Sequence, residues 1–191
     1  MVQLTRPLPL DSPRWAELST RMGREGERVR DALRALSANP SDRPVFTEMW
    51  PAICSEGTTY DAAFAAAPYL VGFAQRVPSD ASIEYLIVLG LIATEAGAIP
   101  TDLGPAYLQA LRDAQALALK RLADCPIDHN LRYLLATVAA FRGRTDLASV
   151  LQDLDAIQQT CPSCGSAVFP DELQQVIARD QAEATTSGAP L

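Results

Sequence analysis

Between residues 79 and 95 the apolar side chains run all the way round a helix. Ile83, Leu86, Ile87, Val88, Leu89, Leu91 and Ile92 leave no broad polar face at a period of 3.6 residues. Such a helix holds in water only when other elements cover several of its sides, so the rest of the chain must supply neighbours. The rest reads as more helices. Apolar residues recur at i, i+4 and i+7 as Val29, Leu33 and Leu36, and a longer helix carries Leu108, Leu111, Leu119 and Leu122 as its apolar residues. Further stripes are Leu131, Leu134, Leu135, Val138 and Phe141, then Leu147, Val150, Leu151, Leu154 and Ile157.

Breakers divide these stripes into short elements. The expected helices cover 12–20, 27–37, 42–53, 62–75, 79–95, 102–124, 128–142, 145–159 and 170–182, about nine in all. Ser12 and Pro13 form a cap and first-turn pair, and Gly23, Gly26, the Asn39-Pro40 step and Gly143 mark ends. Ser55, Glu56 and Gly57 read as a turn. Thr58-Thr59-Tyr60-Asp61 has the spacing of a capping box, in which the hydroxyl and the carboxylate three residues later satisfy each other's backbone donors. The Ala-rich helix that follows, 62–75, suits the centre of the packing because Ala lets a neighbour approach closely. No strand pattern exceeds Ala167-Val168-Phe169. Connections this short join antiparallel neighbours, and helix pairs recur about every 40 residues, in the range of HEAT-like repeats. The expected fold is therefore all-α: antiparallel helical hairpins stacked as a short HEAT-like α-solenoid, one domain over 1–183 with a disordered tail at 184–191.

Composition narrows the function classes. With 48% hydrophobic residues in 191, the chain can bury a core without disulfides. Sixteen basic against 23 acidic residues give a net charge of −7, which opposes binding to nucleic-acid phosphates. No apolar run approaches the roughly 20 residues of a membrane span, and the first ten residues, with Arg6, Pro7 and Pro9, do not form a signal peptide. A cytoplasmic protein is expected, with neither nucleic acid nor membrane as partner.

The segment 50–71, WPAICSEGTTYDAAFAAAPYLV, carries a Trp-containing helix, a Gly-Thr turn and an Ala-rich helix ending in Pro-aromatic-Leu. It resembles a group of bacterial HEAT-like helical-repeat proteins, as do Trp15 and Leu18 near the start and the late Cys-Pro-x-Cys-Gly. Some members of that group look like immunity proteins of toxin systems. The resemblance implies a helical-repeat fold and a structural or interaction role for Trp50, Gly57, Thr58, Tyr60, Asp61 and Pro68.

Chemistry is sparse. Cys161-Pro162-Ser163-Cys164-Gly165 has the shape of a zinc knuckle, which needs two further ligands to close a tetrahedral site. Cys125 and His129, the only histidine, follow the sixth expected helix. If the helices alternate in direction, Cys125, His129, Cys161 and Cys164 converge as a Cys₃His zinc site, structural rather than catalytic. The plainer reading is a buried thiol, a surface histidine and an unmetallated or disulfide-bonded pair. Cys54, Ser55, Glu56 and Asp61 lie close together in sequence, but a Cys or Ser nucleophile needs a base and the histidine is far away. Asp61 reads better as a cap and Glu56 as a solvated turn residue. No phosphate loop or His-Glu-x-x-His pattern occurs. The expected function is non-enzymatic: an immunity or adaptor module that binds another protein, basic in keeping with the charge. The alternative is a helical protein whose zinc site is part of its function.

Overall fold

The computed structural model describes residues 6–123, 125, 129–153, 159–160 and 167–168. It is all-α in class. Among the described residues a 3-10 helix, Pro13–Glu17, precedes seven α-helices: α1 Gly26–Ala38, α2 Arg43–Ile53, α3 Asp61–Ala74, α4 Ser79–Thr94, α5 Gly104–Ala123, α6 His129–Phe141 and α7 Thr145–Gln152. Two-residue strands pair antiparallel as β1 Cys54–Ser55 with β2 Thr58–Thr59, and β3 Gln159–Thr160 with β4 Ala167–Val168. The expected helix over 145–159 is shorter, because Gln159 is extended and pairs with Val168. The last expected helix, 170–182, and the tail at 184–191 lie outside the described residues. The chain divides into two compact units, Met1–Ser149 and Val150–Leu191.

In the first unit α1 to α6 pack chiefly on helices one or two places away along the chain. α1, α3 and α5 touch in series, α4 touches α6, and successive helices join the two series. α2 meets α4 through Phe46 and Tyr85, whose ring centroids are 4.4 Å apart, and through Arg43 and Glu84 at 2.8 Å. The all-apolar pattern of α4 is explained by α2, α3, α5 and α6, which cover it on successive sides. The Ala-rich α3 is the most enclosed helix, with Ala62, Ala63, Ala66, Ala67, Leu70 and Ala74 wholly buried. Small residues let α4 and α6 close in at one point. A Cβ added to Gly90 would come within 2.8 Å of Thr137 Cα.

The N-terminal segment is a strap whose helical part among the described residues, the 3-10 helix Pro13–Glu17, is shorter than the expected helix over 12–20. Ser12 caps the 3-10 turn with Pro13 at its first position, and Trp15 and Leu18 are wholly buried. The Trp15 indole donates to the Pro9 carbonyl at 2.9 Å, and the Tyr69 hydroxyl of α3 donates to the Leu8 carbonyl at 2.6 Å. Gly26 opens α1 directly beneath the strap. Any side chain there would strike the Trp15 carbonyl and approach Leu18 Cβ to 2.9 Å.

Candidate functional site

The residues singled out from the sequence fall in three places. Gly57, Thr58, Tyr60 and Asp61 make the hairpin and the start of α3. β1 and β2 are joined by the two residues Glu56 and Gly57, with φ of 53° and 72°. Positive φ at both central positions is the type I′ turn, whose twist matches that of the strands it joins. Glycine takes that geometry freely, while Glu56 takes it with its carboxylate on Arg21 at 2.6 Å.

The capping box does not form. Thr58 is an exposed strand residue, Tyr60 holds the cap position of α3 without a side-chain cap bond, and Asp61 is already the first helical residue. The Asp61 N–H instead donates to Ser19 Oγ at 3.0 Å, and the Ala62 N–H to the Ser19 carbonyl at 3.1 Å. The strap satisfies the orphan donors of the helix, so a local acceptor is not needed.

Cys54 is 4% exposed, and burial pushes its thiol pKa up, against a hydrogen bond from Thr59 and reinforced by Glu95. Thr59 Oγ1 lies within reach of Cys54 Sγ at 3.7 Å and of the Ile92 carbonyl at 3.4 Å. A raised thiol pKa lowers the thiolate fraction, which is the nucleophilic form. Ser55 is a strand residue facing Thr58 across the hairpin.

Pro68 lies inside α3 and lines a cavity of about 250 Å³ under the strap, with Phe64, Leu8, Pro9 and Leu103. Trp50 is elsewhere. It lies on α2 in a groove of about 470 Å³ walled by α2, α4 and α6. Two matching stripes form the groove: Arg43, Phe46, Thr47 and Trp50 from α2, and Glu84, Ile87, Val88 and Leu91 from α4, with Asn130 and Tyr133 of α6. Each stripe has the i, i+3, i+4, i+7 spacing of one helical face and covers two turns, about 10 Å. Trp50, Ile87, Leu91 and Tyr133 are half-buried. The Arg43–Glu84 ion pair sits at one end. Pro51, the residue after Trp50, gives no N–H to the Thr47 carbonyl in the groove wall.

A second groove, about 390 Å³ between α1 and α2, is lined by Met22, Val29, Ala32, Val45 and Met49 with Glu25, Arg28 and Glu48. It contains no aromatic ring. The α2–α4–α6 groove combines Phe46, Trp50 and Tyr133, the residue types that anchor protein interfaces. Reading the sequence identified Trp50 but not Ile87, Leu91 or Tyr133. The apolar circumference of α4 signalled burial on several sides without saying which, and only the positions of α2 and α6 leave one stripe open.

Of the four proposed zinc ligands, Cys161 and Cys164 lie outside the described residues. Cys125 is half-buried against the core, and its N–H donates to the Leu122 carbonyl at 3.5 Å. His129 begins α6. Among the described residues no group of three His, Cys, Asp or Glu could hold a metal ion, and no helix is long and apolar enough to cross a membrane.

Charge is divided unequally. Residues 1–149 hold 15 basic and 17 acidic residues, whereas 150–191 hold 1 basic and 6 acidic. The helical unit that carries the groove is therefore close to neutral, and most of the net charge of −7 belongs to the last 42 residues.

No family model, no curated protein and no solved structure matches this chain.

Proposed function

We propose that this chain is a non-enzymatic protein-interaction module, an immunity or adaptor protein of the bacterial HEAT-like kind, acting in the cytoplasm through the α2–α4–α6 groove. Its helices form a short α-solenoid of antiparallel hairpins, and the most extensive contacts, which join helices one or two places apart, support that arrangement. One observation carries the functional reading. Trp50, Ile87, Leu91 and Tyr133 lie only partly buried, in a groove of about 470 Å³ whose charged lining residues, among the described residues, are Arg43 and Glu84. Clustered apolar and aromatic exposure of this kind marks a surface that another protein covers.

The test is site-specific photo-crosslinking in the native host, with the probe residue at Ile87 or, as control, at Gln109 of α5, which is half-buried like Ile87. A single partner should crosslink at Ile87 and not at Gln109. Purified from both sides, the pair should lose at least about tenfold in affinity with Leu91→Asp, the loss expected when a charge replaces an apolar anchor. Equal crosslinking at both positions, or unchanged affinity, would remove the reading.

A second reading concerns zinc. β3 and β4 pair antiparallel on either side of the residues 161–166, which include Cys161 and Cys164. A hairpin is a suitable support for two thiolates at Cys-x-x-Cys spacing. Zinc near one equivalent per chain, lost in Cys161→Ser, supports it; less than about 0.2 equivalents with every thiol titratable ends it.

A further inference from the structure

The groove continues past its charged end. Beyond Arg43, Phe46 and Glu84 lies a cleft of about 160 Å³, completed by Pro40, Ser41, Asp80, Ala81 and Tyr85. Its lining is mixed: Pro40, Ala81 and the edges of Phe46 and Tyr85, whose rings pack on each other at 4.4 Å, alternate with Ser41, Arg43, Asp80 and Glu84. The Tyr85 hydroxyl is committed to the Pro40 carbonyl at 2.7 Å. Asp80 and Glu84 stand one turn apart on the same face of α4. Asp80 has no ion-pair partner among the described residues. Glu84 has only Arg43, whose side chain is 76% exposed, and an ion pair that open to water exchanges its partner at little cost.

A narrow cleft with Pro40, Ala81 and Phe46 on its walls and two carboxylates beside them fits a long aliphatic stem with a cationic head. We propose that the occupant of the groove is an amphipathic helix of a partner protein. It lays apolar side chains at i, i+3 or i+4, and i+7 along Trp50, Ile87 and Leu91, and inserts a Lys or Arg, one turn beyond them, between Asp80 and Glu84. The two-turn length of the stripes on α2 and α4 matches that anchor spacing. This inference rests on the groove being the interaction surface, and it adds the chemistry of the partner. The basic character comes from the local carboxylates of α4, not from the acidity of the whole chain.

The test uses synthetic, side-chain-stapled helical peptides of about three turns, labelled for fluorescence anisotropy. One carries leucines at the anchor spacing and an arginine one turn away; in its control, neutral citrulline replaces the arginine. The arginine peptide should bind the full-length protein about fivefold more tightly, and the preference should shrink as salt is raised. In Asp80→Asn/Glu84→Gln, with an unchanged circular dichroism spectrum, the preference should vanish. Arg43→Ala removes the competitor for Glu84, so it should tighten the arginine peptide and leave the citrulline peptide alone. Equal affinity for the two peptides, both abolished by Ile87→Asp, would overturn the cationic cleft and leave the groove reading standing. Binding of neither peptide would overturn this inference, while the crosslinking experiment at Ile87 decides the groove reading separately.

Discussion

The Cβ that Gly90 lacks would sit 2.8 Å from both Cα and Cβ of Thr137, so α4 and α6 are in backbone contact at this pair. Glycine in a helix interior costs about 1 kcal/mol relative to alanine, and the contact explains why that penalty is carried. Gly90→Ala should nevertheless lower stability by about 1–3 kcal/mol, because overpacking outweighs the gain in helix propensity. A urea midpoint at constant slope measures it. Thr137→Ala in the same chain should restore only part of the loss, since Thr137 Cα stays in place. Full restoration would mean that the side chain, rather than the backbone, sets the approach.

The start of α3 depends on a residue 42 positions earlier. Ser19→Ala should cost about 1 kcal/mol, the usual loss for a helix-capping hydroxyl. Thr58→Ala, at the position where a local capping box places its hydroxyl, should change stability by less than about 0.5 kcal/mol. The reverse order of the two midpoints would restore the capping box.

Gly57 has nothing but Glu95 Oε2, at 3.7 Å, near the place a Cβ would take, so substitution there meets backbone strain and not a clash. With φ at 72°, Gly57→Ala should cost about 1 kcal/mol. Gly57→Asn, which tolerates the left-handed region, should cost less. Equal losses would show that the turn relaxes to another type.

Stability should fall at both pH extremes, for different groups. Burial, reinforced by Glu84, pushes Tyr85 up to about 12, and burial also raises Tyr107, which is 1% exposed. An unfolded tyrosine ionises near 10. Above that pH the unfolded chain sheds a proton that folded Tyr85 keeps, so stability falls from about pH 10 until the folded value is passed. Phenolate absorbance should rise together with unfolding, and Tyr85→Phe should flatten the alkaline slope. At the acid side the hydrogen bond from Arg14 holds Asp102 below its ordinary value. Its contribution is present above about pH 4 and is lost as pH falls through the folded value. Asp102→Asn should lessen that acid loss, by a small amount because the carboxylate is 52% exposed.

The helices were legible because their signal is local. Val29, Leu33 and Leu36 lie on one side of α1, and all three are buried. The breaks at Asn39 and Gly143 also fall at helix ends. The strap was not legible as such. Trp15 and Leu18 look like a short helix, but the chain over them is held by distant acceptors and donors: Tyr69 on Leu8, and Arg14 on Asp102. In the candidate site, Trp50 stood out by residue type, and Gly57 by its place in a turn. Ile87 and Leu91 did not stand out, since nothing in their own helix separates them from Leu86 and Leu89, which are wholly buried.

Sequence alone determined the class of structure and its centre: a 3.6-residue apolar period, frequent breaks, and a helix at 79–95 too apolar to stand without neighbours on several sides. Those properties depend on residues within a turn or two of one another, so they can be read along the chain. Tertiary structure decided which side of that helix stays open, that Ser19 rather than Thr58 meets the first donors of α3, and that Asp80 and Glu84 share a cleft with Pro40 and Phe46. Each of these joins residues tens of positions apart. Burial and hydrogen-bond satisfaction are set by which surfaces meet, and only the packed helices fix that.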